Sequence, residues 1–505
     1  MKALHLILSL VIASFSTMMA SGNSGFRLFP ANGATDVNPD TQLKITFGKK
    51  PETGKKGFIR IYEAGTNKLV DSLDLSIPAG PAEPDMIRKK EANYTAIPYE
   101  YKTTDYTNAN TVAGTPSGTA MRDTTGNYQL TIIGRFTDGF HFYPVIIRDN
   151  TATIYPHHNL LRYGKEYYVT IDNGVITTPD NSFGGIGSDN VWRFRTKDKA
   201  PEPDRPQLTV SADGSGDFNT VQGCMDFIPD FSAEKWEVFI RNGNYEELVY
   251  FRNKCNVTIK GESREGVTIH YANNETFNPH PVNVKTNEWP GTFPSRRAAF
   301  AADNCYDLCF EGLTIMTTLK GQAEGLLIMG ARNYLKDVRI IGSGDALQAN
   351  GSIYLEDCII EGDGDTILGR GPAFFSNCIL SSYGPFMWIR NTEANHGNIF
   401  VNCTFIGKGN DAVIARSPVN KGVGYPYAEA VLIDCVLDNI RPEGWGTITG
   451  DTNHLRFWEY RSRNLDGEPI DTSERHPLSR QLTETEDAEL IKNYSNPQFV
   501  LGWQP

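Results

Sequence analysis

No cysteine occurs in the first 223 residues of this 505-residue chain, and the eight that follow never fall at CxxC or CxxxH spacing. That argues against a zinc-stapled module. No G-x-S-x-G occurs either, which disfavours a serine-esterase elbow. Lys and Arg number 48 against 60 Asp and Glu, a net charge of -12, so the clustered basic surplus that meets a phosphate backbone is missing and no nucleic-acid partner is expected. After residue 20 no apolar run is long enough to span a bilayer. The first 20 residues differ in kind: Lys2, an apolar stretch from Leu4 to Phe15, then small residues up to Ala20-Ser21-Gly22. This is the layout of a secretory signal, and it predicts export to periplasm, cell surface or medium. What remains has ordinary globular composition, 39% hydrophobic and 21% charged, over a length that implies more than one domain.

From residue 24 to 196 the pattern is all-β. Leu43, Ile45 and Phe47 alternate with polar residues, as do Trp192, Phe194 and Thr196. The ends of this stretch, Phe29-Pro30-Ala31-Asn32-Gly33 and Tyr163-Gly164-Lys165-Glu166-Tyr167, resemble bacterial Ig-like domains, which implies an Ig-like β-sandwich. Residues 84–158, rich in Thr, Tyr and Asn, are expected as a long insertion, and its Tyr94, Tyr99, Tyr101 and Tyr106 have the chemistry to stack on sugars or on a strand face. Residues 197–206, with Pro201, Pro203 and Pro206 among charges, read as a semi-rigid linker.

Beyond the linker the chain repeats itself. Leu335-Lys336-Asp337-Val338 is echoed by Leu355-Glu356-Asp357-Cys358, Phe375-Ser376-Asn377-Cys378, Phe400-Val401-Asn402-Cys403 and Leu432-Ile433-Asp434-Cys435. The period is 20 residues and then lengthens to 25 and 32. Units this short, rich in β-branched residues and without a helix, predict a parallel β-helix for residues 207–505. Val257, Leu313, Val338, Cys358, Cys378, Cys403 and Cys435 share one phase, taken as inward, where a thiol serves as a small buried hydrophobe. A reduced ladder is therefore expected.

The register also aligns Gly344-Asp345-Ala346-Leu347 with Gly364-Asp365-Thr366-Ile367. Stacked rungs would hold the two aspartates roughly 5 Å apart at the backbone. Carboxylates that close cannot both ionise comfortably, so one becomes a proton carrier and the other a charged nucleophile. A shared calcium site or a hydrogen-bonded turn explains the same register equally well.

Over most of residues 207–505 the sequence resembles the pectin methylesterase family. The resemblance rests on Ser211-Ala212-Asp213-Gly214-Ser215-Gly216-Asp217-Phe218, Gly243-Asn244-Tyr245-Glu246-Glu247 and Gly321-Gln322-Ala323. It continues through the two aspartate segments, Ala415-Arg416-Ser417-Pro418 and Arg441-Pro442-Glu443-Gly444-Trp445. It implies a right-handed β-helix of the pectin-lyase-like kind, methyl-esterified homogalacturonan as substrate, no cofactor or metal, and a monomer. By position it makes Asp365 the nucleophile, Asp345 the acid and base, Arg416 the cation that holds Asp365, and Gln322 an oxyanion donor. Tyr245 and Trp445 are candidates for sugar contacts. Two positions depart from the family: its second glutamine is Gly344 here, and its tryptophan is Pro418. Gln348, Trp388 and Arg390 are the candidates to compensate. Rival readings are a calcium-dependent β-helix lyase, a β-helical polygalacturonase, whose N-T-D, G-H-G and R-I-K segments are missing here, and an inactive carbohydrate-binding solenoid.

Overall fold

The computed structural model describes residues 25–80, 128–134, 139–278, 295–416, 418–419 and 422–505. The expected signal segment and Tyr94, Tyr99, Tyr101 and Tyr106 lie outside them.

Alternation in the first stretch does what it predicts. Leu43 and Ile45 are fully buried on the strand Leu43–Phe47, which pairs antiparallel with Phe26–Phe29 on one side and Thr151–Ile154 on the other. Val145–Arg148 completes this four-stranded sheet. A five-stranded sheet runs Ala34–Val37, Arg193–Thr196, Glu166–Ile171, Phe58–Glu63, Lys68–Asp74. One apolar core takes Ile45, Ala152, Ile61, Val169, Trp192 and Phe194 from both sheets, so they pack face to face as a sandwich. Two of its strands come from residues 145–154, inside the stretch expected as an insertion. That stretch begins with polar sequence but ends in sandwich.

From Gln207 onward one parallel sheet of 22 strands among the described residues winds as a β-helix. Its corners explain the repeat. Asp337, Asp357, Asn377, Asn402 and Asp434 all sit in the left-handed region, at φ between 53° and 55°. Asn and Asp tolerate that conformation better than other residues with a Cβ, because their short polar side chains bond locally. The residue after each corner points inward: Val338, Cys358, Cys378, Cys403 and Cys435 are at most 1% exposed. Strand registers stack them rung on rung. All eight cysteines are free thiols, and Cys358 Sγ donates to the carbonyls of Glu356 and Leu335 at 3.3 and 3.6 Å. One expected member does not belong to this file. Val257 stacks on Leu308, and the rung beneath Leu313 is entered through Val267-Thr268, because Thr268 pairs with Thr314.

The sandwich is bolted to the first rungs. Asp40 Oδ2 accepts from Asn219 N, Thr220 N and Thr220 Oγ1 at 2.8–2.9 Å, at the entry to the helix Val221–Phe227. Glu247 accepts from Val221 N and Gln222 N at 2.8 and 3.0 Å, and burial pushes its carboxyl up to about 7. Arg148 forks onto Glu246 at 2.7–3.2 Å. A cleft of about 330 Å³ lies between the two parts, lined by Asp40, Tyr155, His157, Phe218, Glu247 and Tyr271. It contains neither aspartate of the repeat.

Candidate active site

The two aspartates arrive by register. Leu347 pairs with Ile367 and Ile367 with Met387, so Asp345 and Asp365 each lie two residues before equivalent points of successive rungs. Their turns differ. In the first the left-handed residue is Gly344 (φ 77°), and in the second it is Asp365 itself (φ 47°). Aspartate tolerates that region, as it does at the other corners of the solenoid.

Asp365 Oδ2 accepts from Arg416 Nη1 at 2.8 Å, while Oδ1 is buried without a hydrogen-bond partner among the described residues. Burial raises the carboxyl above its usual range, and Arg416 opposes the rise. Asp345, 4% exposed, is pushed further, up to about 8. Burial is the main cause, with Glu324 and Asp365 adding to it and Arg297 opposing it. The two carboxyls are thus unequal in the sense that acid–base and nucleophilic roles need.

Arg297 is the residue that sequence reasoning missed. Its Nη2 donates to Asp345 Oδ2 at 2.6 Å and to Glu324 Oε1 at 2.7 Å. Nε forks onto both Glu324 oxygens at 2.9 and 3.0 Å, and Nη1 reaches Glu275 at 3.2 Å. Glu324 is fully buried. A signal existed: Glu324 opens through Gly325 onto the apolar run Leu326-Leu327-Ile328-Met329, and a carboxylate buried there needs a partner.

On the next rung two guanidinium groups lie over the Trp388 ring, Arg390 at 4.7 Å and Arg416 at 4.9 Å from its centre. Met387–Ile389 is a strand of the sheet, and Arg416 N bonds Met387 O at 3.1 Å, so backbone pairing brings Arg416 alongside the tryptophan. Facing outward two residues apart on one rung, Gln348 and Asn350 are buried, and neither carboxamide has a hydrogen-bond partner among the described residues. Trp388 Nε1 is likewise buried and has no hydrogen-bond partner among the described residues.

Compared with known proteins, residues 207–502 match the family model described as Pectinesterase. The chain belongs to the pectinesterase family. Among curated pectinesterases, Probable pectinesterase 8 of Arabidopsis thaliana is 27% identical over 59% of this chain and 75% of its own length. Pectinesterase QRT1 of the same plant is 28% identical over 59% of this chain and 78% of its own. The solved pectin methylesterase from carrot aligns at a TM-score of 0.48 and 19% identity, over 60% of this chain and 94% of its own.

Within this pectinesterase, the residues singled out from sequence fall into two groups. Asp345, Asp365, Arg416, Trp388 and Arg390 come together as described. Gln322 sits beside Gly344, because Ala323 and Ser343 exchange backbone hydrogen bonds at 3.0 Å, but its side chain is exposed. Tyr245 and Trp445 require correction as sugar contacts. Tyr245 is 2% exposed and donates its hydroxyl to Arg241 O at 2.7 Å. Trp445 is 1% exposed, stacks on Phe457 at 4.5 Å and donates to Glu459 at 3.3 Å. Both rings belong to the solenoid core, leaving no face for a sugar. Among the described residues, no helix is long and apolar enough to cross a membrane, and no three His, Cys, Asp or Glu group as a metal site.

Proposed function

We propose that the chain hydrolyses the methyl esters of polygalacturonate, releasing methanol. The observation that carries this is the unequal carboxyl pair one rung apart, with Arg416 on Asp365 and burial acting hardest on Asp345. Asp365 attacks the ester carbonyl carbon. As the tetrahedral adduct collapses, the C–OCH3 bond breaks and Asp345 gives its proton to the departing oxygen. The resulting acyl-enzyme is cleaved by water, whose proton returns to Asp345 while hydroxide adds to the carbonyl and Asp365 leaves as a carboxylate. Arg416 steadies Asp365 in the form that attacks. Gln322, next to Gly344, is the proposed donor to the oxyanion. Gln348, Asn350, Trp388 and Arg390 form a polar and aromatic face suited to an oligogalacturonate, since among the described residues the buried carboxamides of Gln348 and Asn350 and the Trp388 Nε1 have no protein partner and need an explanation.

In the same proposal the solenoid is right-handed, the preceding sandwich is Ig-like, and the protein acts as a monomer after export. The Lys2 to Ala20 pattern supports export. The test is methanol release from highly methylated pectin, with chelator present, by the parent and by Asp365→Asn. Methanol from the parent alone supports the reading. Equal release from both removes Asp365 as nucleophile, and an ultraviolet-absorbing unsaturated product instead of methanol means a lyase.

A further inference from the structure

The charged groups facing Asp345 come from several rungs. Arg297 and Glu324 precede it in the winding, Asp365 follows, and Arg390 adds a cation from beyond. Glu275 acts on it through Arg297, and Arg416 through Asp365. Asp363 accepts from Ser343 Oγ and Gly344 N at 3.2 and 3.3 Å, with Lys320 4.0 Å away. Of all these, only Arg297 is hydrogen-bonded to Asp345 in the described structure. Its guanidinium is fixed on both sides, by the fully buried Glu324 and by Glu275, and only 14% of its side chain is exposed.

This geometry sets two conditions at once. Arg297 Nη2 occupies Asp345 Oδ2, so a proton carried by Asp345 sits on Oδ1, the oxygen left for the reaction. A guanidinium alone would drive a neighbouring carboxyl to ionise. Here two carboxylates share that guanidinium, so it orients Asp345 without stripping its proton. Arginine suits the task because its planar fork serves several acceptors in a fixed geometry.

We propose that Arg297 is a positioning residue for the esterase reaction, holding the acid–base aspartate by one oxygen while Glu324 and Glu275 offset its charge. The proposal rests on the esterase reading for its kinetic test. It extends that reading to residues outside the short motifs that carry the resemblance, and it gives this chain a fixed donor beside Asp345 where Gly344 carries no side chain.

The experiment is the pH dependence of methanol release for the parent, Arg297→Gln and Glu324→Gln. Removing the Glu324 charge lets Arg297 act fully on Asp345, so the alkaline limb of kcat/KM moves to lower pH by about one unit or more. Removing the Arg297 charge moves it the other way and lowers kcat more than it raises KM. Opposite displacements support the proposal. Two slower enzymes with the parent's alkaline limb would overturn it, because a purely structural role lowers activity without moving that limb. If Arg297→Gln does not fold, Glu275→Gln serves instead. That side chain is 27% exposed, and the variant should shift in the Glu324→Gln direction by less. A readout independent of activity separates the two readings: the melting-temperature difference between each protein and its Asp345→Asn counterpart, from pH 6 to pH 9. A parent that releases no methanol defeats the esterase reading. The positioning role fails separately if the pH at which this difference grows is the same with and without Glu324.

Discussion

Asp345→Asn is expected to make the protein more stable, and more so as pH rises. In the folded chain the Asp345 carboxyl is pushed up to about 8, mainly by burial. In the unfolded chain it ionises near its ordinary value of about 3.9. Between those two values the unfolded state has lost the proton and the folded state still holds it, so stability falls with rising pH. At pH 6 the unfolded chain's preference corresponds to about 3 kcal/mol, and by pH 9, past the folded value, it reaches about 5.5 kcal/mol. The increment across that window is about 2.5 kcal/mol, and an asparagine does not contribute it. For a domain of this size it corresponds to a melting-temperature gap between variant and parent that widens by about 5 °C. The assay is thermal unfolding of both proteins at pH 6, 7, 8 and 9 at constant ionic strength. A gap that stays constant, or narrows toward pH 9, would refute the claim that Asp345 is held protonated.

Gly344→Gln, which restores the family's second glutamine, should not raise methanol release. Gly344 has φ 77°, a region that costs a side-chain-bearing residue about 1–2 kcal/mol, so calorimetry should show a destabilised variant. Trp388→Ala removes the ring 4.9 Å from Arg416 and should lower kcat/KM by about 2- to 30-fold, the range expected of a cation–π contact; unchanged kinetics would mean Arg416 needs no support. Asp40→Ala leaves three donors at the entry to the helix Val221–Phe227 without their acceptor and should cost about 1–3 kcal/mol in melting experiments, with methanol release at 25 °C intact.

The repeat was legible because its information is local. An Asn or Asp at the corner and a small apolar residue after it recur every 20 residues, and the same spacing delivers Asp345 and Asp365. Where loops interrupt the period, sequence phase loses track of space. The strand Phe300–Thr317 runs 18 residues through a corner, so sequence phase puts Val257 in a file it does not join. Arg297 was invisible for a related reason: it meets Glu324 and Asp345 across 27 and 48 residues, distances that no repeat unit encodes. Tyr245 and Trp445 show a different limit. A buried tyrosine or tryptophan needs a polar partner just as a sugar-binding one does, and only burial tells the two apart. The Glu of Gly243-Asn244-Tyr245-Glu246-Glu247 is likewise architectural, since Glu247 accepts from the first turn of a helix.

Stacking by whole rungs has a consequence for how such a site can arise. Asp345 and Asp365 occupy equivalent corners of adjacent turns, so the pair needs no coincidence between distant segments. Duplicating a single turn that carries one corner aspartate yields two carboxyls at the spacing of neighbouring strands, and the copies then diverge by what surrounds them. In this chain Arg297 and Glu324 surround the first and Arg416 the second. A periodic scaffold can thus acquire a two-carboxyl reaction centre by copying, and only its asymmetry has to be invented.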